Sequence, residues 1–224
     1  MSNRQYLRIE GDAVHLVTEK VERTVRLPDL LAEAGRQAGF TSPVLPTGCR
    51  MFHSSGERTA FVIEQPPQVR QLTWRNMDNN PERVQWKLAF PFVVFVVAFA
   101  RDAVNSGSCR IFYRNAPLNG ADDKLARPNL CNTYQKGGIC TGSLRVSGAT
   151  LATKADSFVS GFWASNFNND LYNENFEPTA RKIFQVSSLP AWQAESEKNP
   201  LFPLTAPWLE GPTLGQVLAE IGGA

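Results

Sequence analysis

The sequence has few of the residues that metal and cofactor sites usually need. It contains only two histidines, His15 and His53, and its four cysteines include no Cys-x-x-Cys pair. Catalytic metal sites usually take several histidines, and structural zinc sites usually take closely spaced cysteines. Lys136-Gly137-Gly138 lacks the glycine spacing and the following Ser or Thr of a phosphate-binding P-loop. We therefore expect neither a metal nor an organic cofactor.

A charge excess and a long apolar run are also missing. The 23 Lys and Arg residues nearly balance the 21 Asp and Glu residues. Both signs are spread along the chain, so there is no basic stripe of the kind that binds nucleic acid. The most apolar stretch, residues 88–100, is shorter than the about 20 residues that a membrane-spanning helix needs. We expect a protein that binds neither nucleic acid nor membrane.

The first residues, Met1-Ser-Asn-Arg-Gln-Tyr6, lack the basic start and apolar core of a secretory signal. We therefore expect a cytoplasmic protein in which all cysteines are free thiols. The alternative is an exported protein in which they form two disulfides. The cysteines concerned are Cys49, Cys109, Cys131 and Cys140.

The composition that is present, 42% hydrophobic and 20% charged residues, is that of a globular protein. We expect one domain over residues 1–224. Within it, residues 1–57 would hold N-terminal strands, a short helix and a loop, residues 58–170 the core, and residues 171–224 a C-terminal extension.

Alternation of apolar and polar residues predicts strands at 6–10, 13–18, 21–26, 58–64, 69–74, 84–100 and 109–113. We expect the strands around Pro66-Pro67 to form a hairpin, and the Val- and Phe-rich end of 84–100 to be a central strand buried on both faces. Helices are predicted at 28–35, 156–167 and 212–221, the second capped by Asp156. Residues 41–57, 115–150 and 171–212 are predicted to be irregular. This order of elements predicts an α+β fold, an antiparallel β-meander with helices packed on one face.

The loop that ends at Cys140 has the features of a nucleophile site. Asn132 and Cys140 are eight residues apart, with Tyr134 and a Gly137-Gly138 turn between them. A thiol held by a rigid turn, with backbone N–H groups and an amide side chain nearby, can attack an acyl group and stabilise the oxyanion that forms. A lone cysteine in such a loop is also common as a small buried hydrophobe, so residue chemistry leaves both interpretations open.

The segment resembles the active-site stretch of ubiquitin-conjugating enzymes. In that family a His-Pro-Asn triplet is followed by a turn, a Gly, and the acceptor cysteine eight residues beyond the Asn. Within the bacterial members, the cysteine segment is most similar to PRTRC system protein B, through Cys131-Asn132, Gly138-Ile139-Cys140, Gly142-Ser143 and Phe162-Trp-Ala-Ser-Asn-Phe167. The resemblance covers residues 84–170. The His-Pro pair is replaced here by Leu130-Cys131, and the long first helix of the family has no counterpart in the predicted elements.

The resemblance implies a ubiquitin-conjugating-like fold in which Cys140 accepts a ubiquitin-like protein as a thioester and Asn132 supports transfer to an amine. It further implies that Tyr134 shapes the acceptor site, that Gly138 is a binding residue of the same loop, and that Asp170 lowers the pKa of an incoming lysine. The implied partners are a ubiquitin-like protein, an adenylating enzyme and, encoded beside this chain, a metalloprotease.

Two other functions fit parts of the sequence. The chain could be a catalytically inactive scaffold or adaptor of the same fold that binds proteins through its loop and exposed aromatics, and Trp192 and Trp208 would then be candidate anchors. An unrelated cysteine hydrolase is the third alternative, and it is disfavoured because no histidine is placed to activate the thiol.

Overall fold

A computed structural model describes residues 4–10, 13–19, 44–75, 83–142 and 144–222. The chain divides into two compact units, residues 1–43 and 44–224. In the first unit, β1 (Arg4–Glu10) and β2 (Ala13–Glu19) pair antiparallel, as predicted. The strand predicted at 21–26 and the helix predicted at 28–35 lie outside the described residues. The single domain predicted over residues 1–224 stays a prediction.

The second unit is built on a seven-stranded sheet whose order is β12-β10-β9-β7-β4-β3, with β8 paired to β7. All its pairs are antiparallel. Its strands are β3 (Cys49–Ser55), β4 (Arg58–Gln65), β7 (Phe92–Ala100), β8 (Ala103–Val104), β9 (Arg110–Arg114), β10 (Lys124–Ala126) and β12 (Glu210–Thr213).

β7 is the central strand that the sequence predicted. It pairs with β4 on one side and β9 on the other, and every residue from Val93 to Phe99 is buried. A strand covered on both faces needs no polar positions, which is why its sequence is a continuous run of Val, Phe and Ala.

A second sheet of three strands has the order β11-β5-β6. It contains β5 (Gln68–Arg75), β6 (Arg83–Phe90) and β11 (Asn166–Phe167), and the β5–β11 pair is parallel.

The hairpin predicted between the strands at 58–64 and 69–74 is therefore wrong. The two strands lie in different sheets, because Pro66-Pro67 sends the chain from one sheet to the other. The strand predicted at 84–100 is likewise two strands, separated at Pro91, which cannot donate to a ladder.

In the described residues of the second unit, the helices are α1 (Leu151–Ala164), a π-helix (Tyr172–Phe176), α2 (Glu177–Ala180), α3 (Leu189–Lys198) and α4 (Leu214–Gly222), with short 3-10 turns at Ser106–Ser108, Phe184–Val186 and Phe202–Leu204. α1 packs its aromatic residues on the sheets: the ring centroids of Phe95 and Phe162 are 5.4 Å apart, and those of Phe90 and Trp163 are 5.1 Å apart. α4 lies beside β3 and β4, where the Ile221 carbonyl accepts a hydrogen bond from Arg58 at 3.0 Å.

The predicted α+β class with antiparallel sheets is confirmed. Phe95, which contacts α1, and Ala98 lie on opposite faces of β7, because side chains alternate along a strand. His53 shares the face of Ala98 through the β3–β4–β7 register, and a Cβ on Gly222 of α4 would lie 3.3 Å from His53 Nε2. α4 therefore lies by the face of the large sheet that carries His53 and Ala98, and α1 lies against the face that carries Phe95.

Three boundaries differ from the predictions. α1 begins at Leu151, because Thr150 and Thr153 form a capping box, and Asp156 instead accepts a hydrogen bond from the Thr47 N–H at 2.9 Å. Residues 49–55, predicted as loop, form β3, an edge strand with one exposed side that tolerates serines. The C-terminal extension is not irregular throughout, since α3 occupies residues 189–198. Among the described residues, no helix combines the length and apolar character needed to cross a membrane.

Candidate active site

Residues 132–140 form a tight hairpin that joins the two ends of the predicted motif. The Cys140 N–H donates to the Asn132 carbonyl at 2.9 Å, and Thr133 and Ile139 form an antiparallel bridge. The Tyr134 N–H donates to the Gly138 carbonyl at 2.8 Å. The eight-residue spacing seen in the sequence thus places Asn132 directly opposite Cys140.

Gly137 closes the turn of this hairpin and fixes it to the large sheet. Its N–H donates to the Tyr134 carbonyl at 2.8 Å, and its φ of +76° is in the left-handed region that favours glycine. The Gly137 carbonyl accepts the Ile111 N–H of β9 at 2.8 Å. A Cβ at this position would lie 2.6 Å from the ring of Phe112 and 2.8 Å from the Ile111 carbonyl oxygen. Only glycine fits here without a rearrangement.

Cys140 is the one exposed cysteine of the four. Burial raises the pKa of the Cys131 thiol to about 12 and that of Cys109 to about 11, and burial also raises the pKa of Cys49. A thiol reacts as its thiolate, so these three are poor nucleophiles near neutral pH. Accessible thiol chemistry is therefore confined to Cys140.

Cys140 opens into a cleft of about 460 Å³ that also contains Asn132 and Asp170. The Asn132 amide donates to Ser165 Oγ at 3.5 Å and to the Asn166 carbonyl at 3.4 Å. Both distances are at the long limit for hydrogen bonds, so the amide is oriented toward the end of α1 without a strong partner. It can therefore take a better acceptor in the cleft.

Asp170 reaches the cleft from the loop after β11. Its backbone N–H donates to Asn168 Oδ1 at 3.0 Å, and Asn168 Nδ2 donates to Asp170 Oδ2 at 2.8 Å. This reciprocal pair fixes the exposed carboxylate at the lip of the cleft. The fold thus brings together Cys140, Asn132 and Asp170, three of the predicted site residues.

The other two predicted residues lie outside the cleft lining. The ring of Tyr134 packs on Gly138. A Cβ added to Gly138 would lie 3.4 Å from Tyr134 Cδ2. Both residues lie in the hairpin, on either side of its turn. The structure places them where they shape the hairpin rather than the wall of the cleft.

Sequence reasoning missed the residues that support the hairpin from behind. The Asn175 side chain is completely buried and donates to the Tyr134 carbonyl at 2.8 Å and to Thr133 Oγ1 at 2.9 Å. Arg127 Nε donates to Asn175 Oδ1 at 3.0 Å. Asn175 lies in a polar stretch predicted to be irregular, and no periodicity there indicates a buried asparagine.

None of the described residues that line the cleft is a histidine. The arrangement therefore offers no imidazole as general base for the thiol, which a cysteine hydrolase of the Cys-His type requires. It offers instead an exposed thiol, an amide donor and a carboxylate around one open cleft. These groups suit transfer of an acyl group that arrives already activated.

In a comparison with protein families, the sequence model of Prokaryotic E2 family D matches residues 42–199. E2 is the usual term for a ubiquitin-conjugating enzyme. The matched range contains the hairpin, α1 and Asp170. No curated protein and no solved structure matches the chain.

Proposed function

The chain belongs to prokaryotic E2 family D, and on that basis we propose that Cys140 accepts a ubiquitin-like protein as a thioester and transfers it to an amine. The observation that carries this proposal is the placement of the one exposed cysteine opposite Asn132, at a cleft that also holds Asp170. The narrower resemblance to PRTRC system protein B is part of the same proposal.

The proposed reaction has two acyl transfers. The partner's C-terminal carboxyl group arrives activated, as an adenylate or as a thioester on the adenylating enzyme. The Cys140 thiolate attacks the acyl carbon, a new C–S bond forms, and AMP or the enzyme's thiol leaves. An amine then attacks the same carbon, the C–S bond breaks, and Cys140 leaves as thiolate. The proton lost by the amine goes to solvent or to a carboxylate, and an amide remains.

Asn132 and Asp170 have complementary roles in this scheme. The weakly held Asn132 amide would donate to the oxyanion that forms when the amine attacks. Asp170, fixed at the lip by Asn168, would bind the amino group of an incoming lysine and accept the proton that this amine loses as the C–N bond forms. Tyr134 and Gly138 would act by holding the hairpin in shape.

The proposed partners are a ubiquitin-like protein and an adenylating enzyme, with a metalloprotease that reverses the modification. The scaffold alternative needs no reactive thiol. Its candidate anchors, Trp192 and Trp208, are both buried, with their indole N–H groups bonded to the carbonyls of Ala89 and Pro203. They pack the C-terminal extension onto the body of this unit and are not presented to a partner.

The test is a charging assay with ATP and the two proposed partners, an adenylating enzyme and a ubiquitin-like protein. Wild-type protein should give an adduct that a thiol reductant removes. Cys140→Ser should give an adduct that resists the reductant, because an oxygen ester forms instead, and Cys140→Ala should give none. Cys49→Ala is the matched control, since it removes a half-buried cysteine of β3 and should charge like wild type.

Two results would count against conjugation. Charging of Cys140→Ala equal to that of wild type would show that the acyl group goes elsewhere. If neither protein charges while wild type still binds the ubiquitin-like protein, the scaffold function is favoured.

A further inference from the structure

Asn175 is a buried polar residue whose side chain amide has one possible orientation. Arg127 can only donate hydrogen bonds, and its Nε lies 3.0 Å from one amide atom of Asn175, so that atom is the oxygen Oδ1. The NH₂ group must then point the other way, toward the active-site hairpin. A second bond from the Arg127 guanidinium to the Glu174 carbonyl at 2.7 Å holds the arginine in place.

The NH₂ group of Asn175 meets oxygens of the hairpin only. It lies 2.8 Å from the Tyr134 carbonyl, 2.9 Å from Thr133 Oγ1 and 3.3 Å from the Thr133 carbonyl. These oxygens belong to the strand that starts at Asn132, and the Tyr134 carbonyl also closes the turn to Gly137. Asn175 therefore holds both the strand and the turn whose other arm ends at Cys140.

The neighbouring Glu174 adds a contact on the same side. Its Oε2 accepts the Gln135 N–H at 3.3 Å, so two successive residues of the π-helix hold three successive residues of the hairpin. The π-helix is a single turn. Such turns are rare in proteins, and those that occur are often found at functional sites. Here two adjacent side chains of this turn, Glu174 and Asn175, contact the same hairpin.

We infer that Asn175 is a positioning residue for Cys140: through Thr133 and Tyr134 it fixes the hairpin that presents the thiol opposite Asn132. The positioning rests on geometry alone, and its consequence for acyl transfer rests on the function proposed above. Asn175 does not touch the reacting atoms. Its loss should loosen the hairpin while the sheet behind it stays folded.

Hydrogen exchange of the folded protein tests the positioning without any partner. The amides to follow are those of Tyr134, Gly137 and Cys140, each bonded within the hairpin. In Asn175→Ala, which removes the donors, they should exchange about tenfold faster or more. Asn175→Asp, which keeps the shape and the bond from Arg127 but turns an oxygen toward the hairpin oxygens, should do the same. Amides of the central strand β7 should keep their protection in both variants.

Asn173→Ala is the matched control, because Asn173 lies exposed in the same π-helix. It should leave the hairpin amides unchanged. Equal loss of protection in the hairpin and in β7 would show that Asn175 only stabilises the fold, and unchanged hairpin protection in both Asn175 variants would show no positioning. Either result overturns the inference.

The transfer step gives the functional consequence. In charged protein, Asn175→Ala should slow discharge to a lysine acceptor by about tenfold, at unchanged affinity for the acceptor. Faster hairpin exchange with unchanged discharge would overturn the role in transfer. If wild type does not charge at all, the proposed function fails while the exchange result still decides the positioning.

Discussion

Cys131 and Cys140 line the same cleft, yet Cys131 is only 1% exposed and Cys140 is open to solvent. The hairpin of residues 132–140 ends with Cys140 exposed to solvent, whereas Cys131, which precedes the hairpin, is buried in the core. Two thiols that the sequence places nine residues apart are thus chemically distinct.

We predict that iodoacetamide near pH 8 alkylates Cys140 alone in the folded protein. Burial raises the pKa of Cys49, Cys109 and Cys131, so each holds less thiolate at this pH than an ordinary cysteine. Intact mass and peptide mapping should show one adduct, and three more only in urea. Cys140→Ser should show no fast adduct, whereas rapid native labelling of Cys131 would contradict the structure.

Gly137→Ala should destabilise the protein by about 2–4 kcal/mol, through left-handed backbone strain and a clash with Phe112 and the Ile111 carbonyl. Gly56→Ala is the matched control. Gly56 also has a positive φ, +58°, but a Cβ there meets no atom within 4 Å, so only the strain of about 1 kcal/mol applies. Urea unfolding followed by circular dichroism measures both, and equal losses would contradict the proposed clash.

Trp192→Ala should cost about 3–5 kcal/mol of unfolding free energy. The indole is fully buried, its ring centroid lies 5.1 Å from that of Phe90, and its N–H donates to the Ala89 carbonyl at 2.9 Å. Phe184→Ala removes an aromatic side chain that is 84% exposed and should change stability little. A small effect of Trp192→Ala in the same unfolding experiment would mean that α3 contributes little to the fold.

Asp123 should make stability depend on pH in the acid range. Backbone N–H groups of Asn119 and Gly120 and the guanidinium of Arg114 hold the pKa of this carboxyl below its usual value. A lowered folded-state pKa gives stability that is present above the unfolded-state pKa of about 3.9. That stability is lost as pH falls through the lower folded-state value.

Asp123→Asn should therefore lower the free energy of unfolding at pH 7. It should also reduce the loss of stability that occurs between about pH 5 and 2. The measurement is thermal unfolding at a series of pH values. Asp122→Asn, at the exposed neighbouring position, should leave the acid limb unchanged. An identical acid limb in Asp123→Asn and wild type would refute the role of this carboxylate.

The local sequence pattern was sufficient to predict an element whose residues share one kind of environment. β7 is buried on both faces, so its run of Val and Phe indicated a central strand, and α1 repeats its buried Phe158, Val159, Phe162 and Trp163 at helical spacing. α3 was missed because Pro190 suggests an irregular segment. A proline in the first turn of a helix loses no hydrogen bond, and Ser188 caps this one by accepting the Ala191 N–H at 3.2 Å.

Within the site, the pair of Asn132 and Cys140 was predictable because both belong to one hairpin, and local turn chemistry sets their register. By itself the sequence also determined the central strand, the aromatic helix and the candidate thiol. Only the tertiary structure decided that Asp170 shares the cleft, that β4 and β5 part into two sheets, and that Asn175 supports the hairpin. Each of these depends on contacts between residues far apart in the chain. The local sequence around Asn175 does not distinguish a buried asparagine, whose hydrogen bonds the fold supplies, from an asparagine in a loop.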